Sequence, residues 1–398
     1  MKKRIITWVL LLMLIMAEIC PVKIQGAVQP APEISAPGAV LMEPSTGTVL
    51  YEKNGEEQRS PASITKIMTL LLIFEALEDG QITLEEEVVT SAYAKSMGGS
   101  QVFLEEGEKQ TVETLIKCIV VASGNDASVV MAEHLAGSEE EFVKRMNEKA
   151  GELGMLHTQF EDCCGLTDSE EHYTTASDVA IVSRELITRF PRILEYSSIW
   201  MENIIHRTAQ GEKEFCLTNT NKLIRSYEGC VGLKTGSTSV AKYCVSAVAQ
   251  RGEMTLLAVV MGAPDAKVRF KDAAALLDYG FGKCNLYLDE NRKNPDPVPI
   301  KGGVKAEVAC RYTGEFRYLD TEGKNLSQIE KKIVYMKNLQ APVKKGDIVG
   351  EAQYLLDGKV IGKRDIVAAK PEKKAGLWDY IKHIRKRMIK GDDYSADR

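Results

Sequence analysis

Residues 38–53, GAVLMEPSTGTVLYEK, place two short apolar runs on either side of a Pro-Ser-Thr-Gly turn, which predicts a β-hairpin. A helix start follows at Ser60 and Pro61, and SITKIMTLLLIFEALEDG carries an apolar face until Gly80 ends it. From Thr111 to Gly137 the pattern reads helix, break, helix, with Ser-Gly-Asn as the break. Further helices are predicted over 138–153 and 176–189. After residue 229 the period changes: CVGLKT, KYCVSAVAQ and TLLAVVMGA are strand-like runs separated by turn residues, and DAKVRFKDAAALLDYGF returns to helix. Helices flanking an antiparallel sheet make an α+β layout.

The stretch LDENRKNPDPVP, 288–299, is polar with prolines and reads as a linker. Beyond it VKAEVACRY alternates and YLLDGKVIGK carries an Asp-Gly hairpin signal, which predicts a small β domain. In the tail segment KKAGLWDYIKHIRKRMIKG, Leu377, Trp378, Ile381, Ile384 and Met388 recur at helical spacing on one side. Over 373–390 seven Lys or Arg face one acidic residue, in a chain whose net charge is -5. A basic amphipathic helix carrying Trp fits the interface of an anionic membrane; the alternative is a terminal helix docked on the β domain.

The N-terminus has three basic residues, then an apolar run from Ile5 to Met16, then polar and small residues. This is the layout of a secretory signal peptide, and the run is short for a membrane span. The expected organisation is a signal peptide over 1–26, a catalytic domain over 33–285, a β-rich domain over 286–371 and an amphipathic helix over 372–391.

At 398 residues the chain can hold two domains, and its acidic balance argues against nucleic acid as a partner. Eight cysteines follow Cys20, with no Cys-x-x-Cys, and are expected mostly as buried thiols. Five scattered histidines without a His-Glu-x-x-His pattern give a zinc site no support.

Three motifs carry candidate chemistry. Ser63 and Lys66, in SITK, lie three apart at a predicted helix start, on one face. A serine hydroxyl becomes a useful nucleophile when a neighbouring base removes its proton, and a lysine serves only while its amine is neutral. Taken singly the pattern is weak, because SVAK at 239–242 matches it too. Ser123 and Asn125 stand in the break between two helices, where a hydroxyl can relay a proton and a carboxamide can hold an amide; a capped helix junction would look the same. Lys234-Thr235-Gly236 in GCVGLKTGST is not a phosphate loop, since residue 228 is Glu and strand texture continues after it.

In their order, Ser-x-x-Lys, Ser-x-Asn and Lys-Thr-Gly resemble the signature of penicillin-binding proteins and serine β-lactamases. Ser-Gly-Asn resembles the low-mass D-alanyl-D-alanine carboxypeptidase branch, as do GAVLMEPSTGTVLYEKN, HYTTASDVA and VRFKDAAALLDYGF. GCVGLKTGSTS is similar to clostridial sporulation-type members. The resemblance implies a serine β-lactamase/DD-peptidase-like fold and acylation of Ser63 with Lys66 as base. It further implies that Ser123 assists the leaving group and Asn125 holds the peptide. Lys234, Thr235 and Arg269 would bind the terminal carboxylate, Gly236 would allow close approach, and the N–H groups of Ser63 and Ser237 would form an oxyanion hole. The expected partners are the peptidoglycan pentapeptide stem, β-lactams and a membrane surface, at the outer face of the cytoplasmic membrane, with no cofactor, metal or nucleic acid. Two alternatives stay open. One is a β-lactamase, although Glu161, Glu170 and Glu171 do not begin a Glu-x-x-Leu-Asn; the other is a catalytically silent wall-binding protein.

Overall fold

The computed structural model describes residues 30–208 and 211–390. The signal segment expected over 1–26, and residue 391 of the expected tail helix, lie outside the described residues.

The strands of the first part are, in chain order, β1 (Gly38–Glu43), β2 (Thr48–Lys53), β3 (Glu87–Val89), β4 (Lys109–Thr111), β5 (Met201–Thr208), β6 (Gly211–Thr218), β7 (Cys230–Thr238), β8 (Lys242–Arg251) and β9 (Met254–Ala263). The longer helices there are α1 (Lys66–Glu78), α2 (Val112–Val120), α3 (Asn125–Ala136), α4 (Glu139–Leu153), α5 (Ala176–Arg189) and α6 (Ala266–Lys283). One antiparallel sheet, in the order β2-β1-β9-β8-β7, organises this part.

The sheet is covered on both faces, so its inner strands read as near-continuous apolar runs. Along β1, Val40 and Met42 join the cluster formed by α1 to α5, while Ala39 and Leu41 join the cluster under α6. On β9 the same alternation sends Leu257, Val259 and Met261 one way and Leu256, Ala258 and Val260 the other. The helix starts carry side-chain caps where the sequence supplies them: Thr111, Ser138, Thr175 and Asp265 each accept from a backbone N–H of the following turn.

The second part contains β10 (Asn285–Asp289), β11 (Val298–Pro299), β12 (Glu307–Val308), β13 (Cys310–Tyr312), β14 (Phe316–Asp320), β15 (Glu330–Tyr335), β16 (Ile348–Leu356) and β17 (Lys359–Ala368). Four of these form a sheet in the order β13-β17-β16-β15. Its core is separate: Val298, Phe316, Val349, Ala352, Tyr354 and Ile366 pack together, with the Phe316 and Tyr354 rings stacked at 3.7 Å. Asp357 and Gly358, with φ of 51° and 73°, close the β16–β17 hairpin that the Asp-Gly pair signals.

Two readings of the sequence change. The stretch 288–299 is not all linker: β10 pairs with β14 through Asp289, and β11 pairs with β12 at its far end. The β5–β6 hairpin, paired from Met201↔Thr218 to Thr208↔Gly211, was absent from the predicted elements. It buries Ile204 and Leu217 against the helical side of the sheet.

The tail forms α7 (Leu377–Lys390). Leu377 and Trp378 are each 75% exposed, so these two side chains do not dock on the β domain. No described helix is long and apolar enough to cross a membrane.

Candidate active site

Three elements meet at one cleft. The first is the start of α1, where residues 62–65 form a 3₁₀ turn before the α-helix takes over at Lys66. Ala62 enters this turn with φ of 47°, in the left-handed region. Ser63 is half-buried, and Lys66, with no exposed surface, folds back along the same face.

Lys66 Nζ lies 3.0 Å from Ser63 Oγ, 2.6 Å from Asn125 Oδ1 and 2.7 Å from the Cys164 carbonyl oxygen. Burial pushes the Lys66 amine below the ordinary lysine value, opposed by the nearby Cys163 and Cys164 thiols, Asp162 and Asp126. An uncharged amine has two N–H groups and one lone pair. The Asn125 carboxamide oxygen and the Cys164 carbonyl can only accept, so they take the two N–H groups, and the lone pair is left for the Ser63 hydroxyl proton. That sorting is what a general base for an alcohol nucleophile requires.

The second element is the α2–α3 break. Ser123 adopts φ of 63°, a conformation that costs a non-glycine residue about 1 to 3 kcal/mol and tends to cluster at functional sites. The turn ends at once in α3, whose first residue, Asn125, donates from Nδ2 to the Gly98 carbonyl at 2.7 Å while its backbone N–H donates to Ser100. Its neighbour Asp126 accepts from the Val102 and Leu104 N–H groups. The loop 98–104 is therefore fastened to the same helix end that presents Ser123 and Asn125.

The third element is the edge strand β7. Lys234, 1% exposed, reaches Ser123 Oγ at 2.8 Å and its own neighbour's carbonyl, Thr235, at 2.9 Å. Its pKa is driven well down by burial first, then by Lys66 and Arg269. Thr235 Oγ1 donates to Thr220 Oγ1 at 2.7 Å. A Cβ at Gly236 would stand 2.9 Å from the Pro61 carbonyl and 3.0 Å from the N–H nitrogens of Ser63 and Ile64, so only glycine lets β7 lie this close to the turn that carries Ser63. Ser237 follows, exposed, opposite Tyr243 of β8. Arg269, on α6, sits behind the strand. Its guanidinium donates to the Gly236 and Cys244 carbonyls, both at 3.2 Å, and stacks over Phe270 at 4.4 Å. Burial lowers its pKa to about 10, and its Nε has no partner.

The nine residues singled out in the sequence are thus linked by direct contacts or by adjacency on β7, from Ser63 through Lys66 to Asn125, and from Ser123 through Lys234 to Thr235 and Gly236. Arg269 touches the group from behind, and Ser237 extends it along the strand. The three glutamates that the lactamase alternative would draw on, Glu161, Glu170 and Glu171, are all exposed.

Sequence reasoning missed several supports. Thr220 and Asn221 belong to the run Thr-Asn-Thr-Asn at 218–221, a polar cluster that could have been flagged. Asn221 Nδ2 holds the Gly232 carbonyl at 2.8 Å and so fixes β7. The Cys164 carbonyl has no side-chain signal at all. Seven of the cysteines are buried free thiols and Cys216 is exposed. Glu139, Asp162 and Cys164 bring ligand atoms within 4.8 Å of one another, but both carboxylates already accept hydrogen bonds, from the Tyr93 hydroxyl and from the backbone N–H groups of residues 163–167.

Comparison with known proteins agrees with this geometry. The model of the D-alanyl-D-alanine carboxypeptidase family, peptidase S11, matches residues 25–265, and that of the penicillin-binding protein 5 C-terminal domain matches residues 296–374. The D-alanyl-D-alanine carboxypeptidase DacF of Bacillus subtilis is 42% identical over 348 residues, 87% of this chain and 88% of its own length. DacC of Escherichia coli is 33% identical over 88% of each chain. Among solved structures, penicillin-binding protein 5 of Haemophilus influenzae superposes with a TM-score of 0.71 at 30% identity, covering 87% of this chain and all of its own. Strand order, the three motifs in one cleft and these likenesses together place the chain in the peptidase S11 family of D-alanyl-D-alanine carboxypeptidases, with a penicillin-binding protein 5-type β domain at its C-terminal side.

Proposed function

We propose that this protein removes the terminal D-alanine from peptidoglycan pentapeptides through an acyl-enzyme on Ser63, and that penicillin acylates the same hydroxyl. The observation that carries the reading is the 3.0 Å contact between Ser63 Oγ and a fully buried Lys66 amine that also reaches the Asn125 Oδ1 and the Cys164 carbonyl. Ser63 Oγ attacks the carbonyl carbon of the penultimate D-alanine and its proton passes to Lys66. The tetrahedral oxyanion lies between the N–H groups of Ser63 and Ser237, which the close approach of β7 at Gly236 brings to one side of the cleft. As the C–N bond breaks, the proton reaches the departing amine by way of Ser123, which Lys234 holds at 2.8 Å. Water then hydrolyses the ester.

Lys234 and Thr235 receive the terminal carboxylate, and Asn125 holds the peptide. Arg269 adds positive charge for the same carboxylate from beside β7, where its Nη1 donates to the Gly236 and Cys244 carbonyls. Intact-protein mass spectrometry after benzylpenicillin is expected to show a slowly lost adduct on the wild-type chain and none on Ser63→Ala, and D-alanine release from a pentapeptide ending in D-Ala-D-Ala is expected to disappear in the same variant. Equal release by both proteins would reject Ser63 as the nucleophile. Rapid turnover of penicillin without an adduct would favour a lactamase.

The organisation we infer is catalytic over 33–285, β-rich over 286–371 and an amphipathic anchor over 372–391, exported by the segment 1–26. Its support is the separation of the apolar clusters, two drawn from residues 34–284 and one from 298–368, and the exposure of Leu377 and Trp378 on a helix rich in basic residues. This helix attaches the protein to the outer face of the cytoplasmic membrane. A chain ending near Pro371 is expected to lose co-sedimentation with anionic liposomes; undiminished binding would remove the helix as the anchor.

A further inference from the structure

We propose that Asp162 is a positioning residue for the reaction: its carboxylate gathers the backbone of residues 164–167 into a cradle that presents the Cys164 carbonyl to Lys66. The proposal rests on the assignment of Lys66 as the base for Ser63.

Asp162 is 8% exposed, and both of its oxygens are spoken for. Oδ1 accepts from the N–H groups of Cys164, at 2.7 Å, and Gly165; Oδ2 accepts from Leu166, at 3.0 Å, and Thr167, at 2.7 Å. Four N–H groups converging on one carboxylate fix four successive peptide planes; against the upward push of burial, the neighbouring His172 and then these hydrogen bonds favour the charged form of the acid, so its pKa lies below the ordinary value.

What these planes present on their other side is the base of the catalytic site. The Cys164 carbonyl accepts from Lys66 Nζ, the Cys163 carbonyl accepts from Thr69 Oγ1 at 2.5 Å, and Gly165 lies against the nucleophile turn, where a Cβ would fall 1.8 Å from the Ala62 carbonyl oxygen. The loop thus touches the 3₁₀ turn at Ala62 and α1 at Lys66 and Thr69. If the cradle loosens, Lys66 loses one of the two acceptors that commit its N–H groups, and the lone pair is no longer held on Ser63 Oγ.

The acid also acts through its charge. Around Lys66, Asp162 and the Cys163 and Cys164 thiols face it from the loop, Asp126 from α3 and Lys234 from β7, with Arg269 beyond Lys234 and His172 beside Asp162. Asp162 and Asp126 favour the ammonium form, and Lys234 opposes it. Removing the charge at 162 therefore keeps the amine neutral to lower pH.

Two variants of the full-length chain separate position from charge. Asp162→Ala deletes the cradle and is expected to slow acylation by benzylpenicillin about 10- to 100-fold, the range a displaced reacting group produces. Asp162→Asn can keep Oδ1 on the Cys164 and Gly165 N–H groups while losing the charge. It is expected to retain most of the rate at its optimum, and to move the acid limb of the acylation pH profile to lower pH. The measurement is the second-order rate of adduct formation, followed by intact mass across pH, with thermal melting as the check on folding. An alanine variant that acylates at close to the wild-type rate, or an asparagine variant whose acid limb stays in place, overturns the proposal; if the alanine variant does not fold, the asparagine profile decides alone. Absence of an adduct on the wild-type protein would remove the base assignment itself, and this proposal with it.

Discussion

The two parts of the chain bury very different things. In the part built on the five-stranded sheet, Lys66, Lys234, Arg269, Ser123, Asn125, Asp126, Asp162 and His172 all lie inside, whereas in residues 298–374 the buried charged residues are Asp320 and Glu372. The second sheet, moreover, leaves Ile333, Val334, Ile348 and Val360 exposed, while the inner strands of the first are covered on both faces. Buried charge is costly unless it is paired, and it moves pKa values in the direction that acid–base chemistry needs. The contrast teaches that the first part gives up stability to hold a reactive arrangement, and that the second is ordinary packing that need satisfy only itself.

The comparison can be tested by disturbing each part and asking whether the other responds. The largest effect is expected from Tyr354→Ala, which removes a fully buried ring stacked on Phe316 and the hydroxyl that reaches Asp289 at 3.0 Å. A loss of about 3 to 5 kcal/mol in the unfolding of the β domain is expected, with the acylation rate of the folded protein unchanged. Chemical unfolding followed alongside penicillin acylation checks this; a matching fall in acylation rate would show that the two parts are not independent.

Gly236→Ala probes the opposite case. Its Cβ would press on the Pro61 carbonyl and the Ser63 and Ile64 nitrogens, forcing β7 away from the nucleophile turn. A shift of about 1 Å in such a site lowers kcat/KM by about 100-fold, while melting of the β domain should not change. Steady-state D-alanine release measures the first and differential scanning calorimetry the second.

The smallest effect concerns acid. His172 is buried, with Nδ1 accepting from the Glu161 N–H and Nε2 against Thr65 Oγ1 at 2.9 Å, an arrangement for the neutral ring. Burial holds its pKa below 6.5 in the folded chain. The unfolded chain therefore binds this proton first as pH falls, so stability decreases from about pH 6.5 downward, by up to about 1.4 kcal/mol per pH unit, until the folded pKa is reached. His172→Gln, which does not titrate, should flatten that decline in the catalytic part alone. An unchanged slope in urea titrations at pH 5 to 7 would contradict it.

How far the sequence could be read follows from what kind of atom does each job. The hairpin of β1 and β2, the helix after Ser60, the helix pair around Ser123 and the strands after residue 229 all carry periodicity or punctuation in their side chains, and each formed where that signal placed it. Side-chain chemistry likewise pointed to Ser63, Lys66, Ser123, Asn125 and Lys234 before any geometry was known. The β5–β6 hairpin was lost because its outward positions, Asn203, Glu212 and Glu214 among them, outnumber the few inward ones at Ile204, His206 and Leu217. The ends of the 288–299 stretch were lost because strands of two to five residues are too short for an alternation to register. Asp162 reads in sequence as one more acid in a polar run, since four of the donors it collects are main-chain N–H groups.

The Cys164 carbonyl has one consequence for how such a protein varies over generations. Its oxygen belongs to the peptide link and not to the side chain, so any codon change at position 164 that leaves the path of the chain intact leaves the acceptor in place. A mutational scan would score at that position only how well its buried side chain is replaced, and would miss the carbonyl. Inheritance can reach it only indirectly, through neighbours such as residues 162 and 165 that determine where the backbone runs.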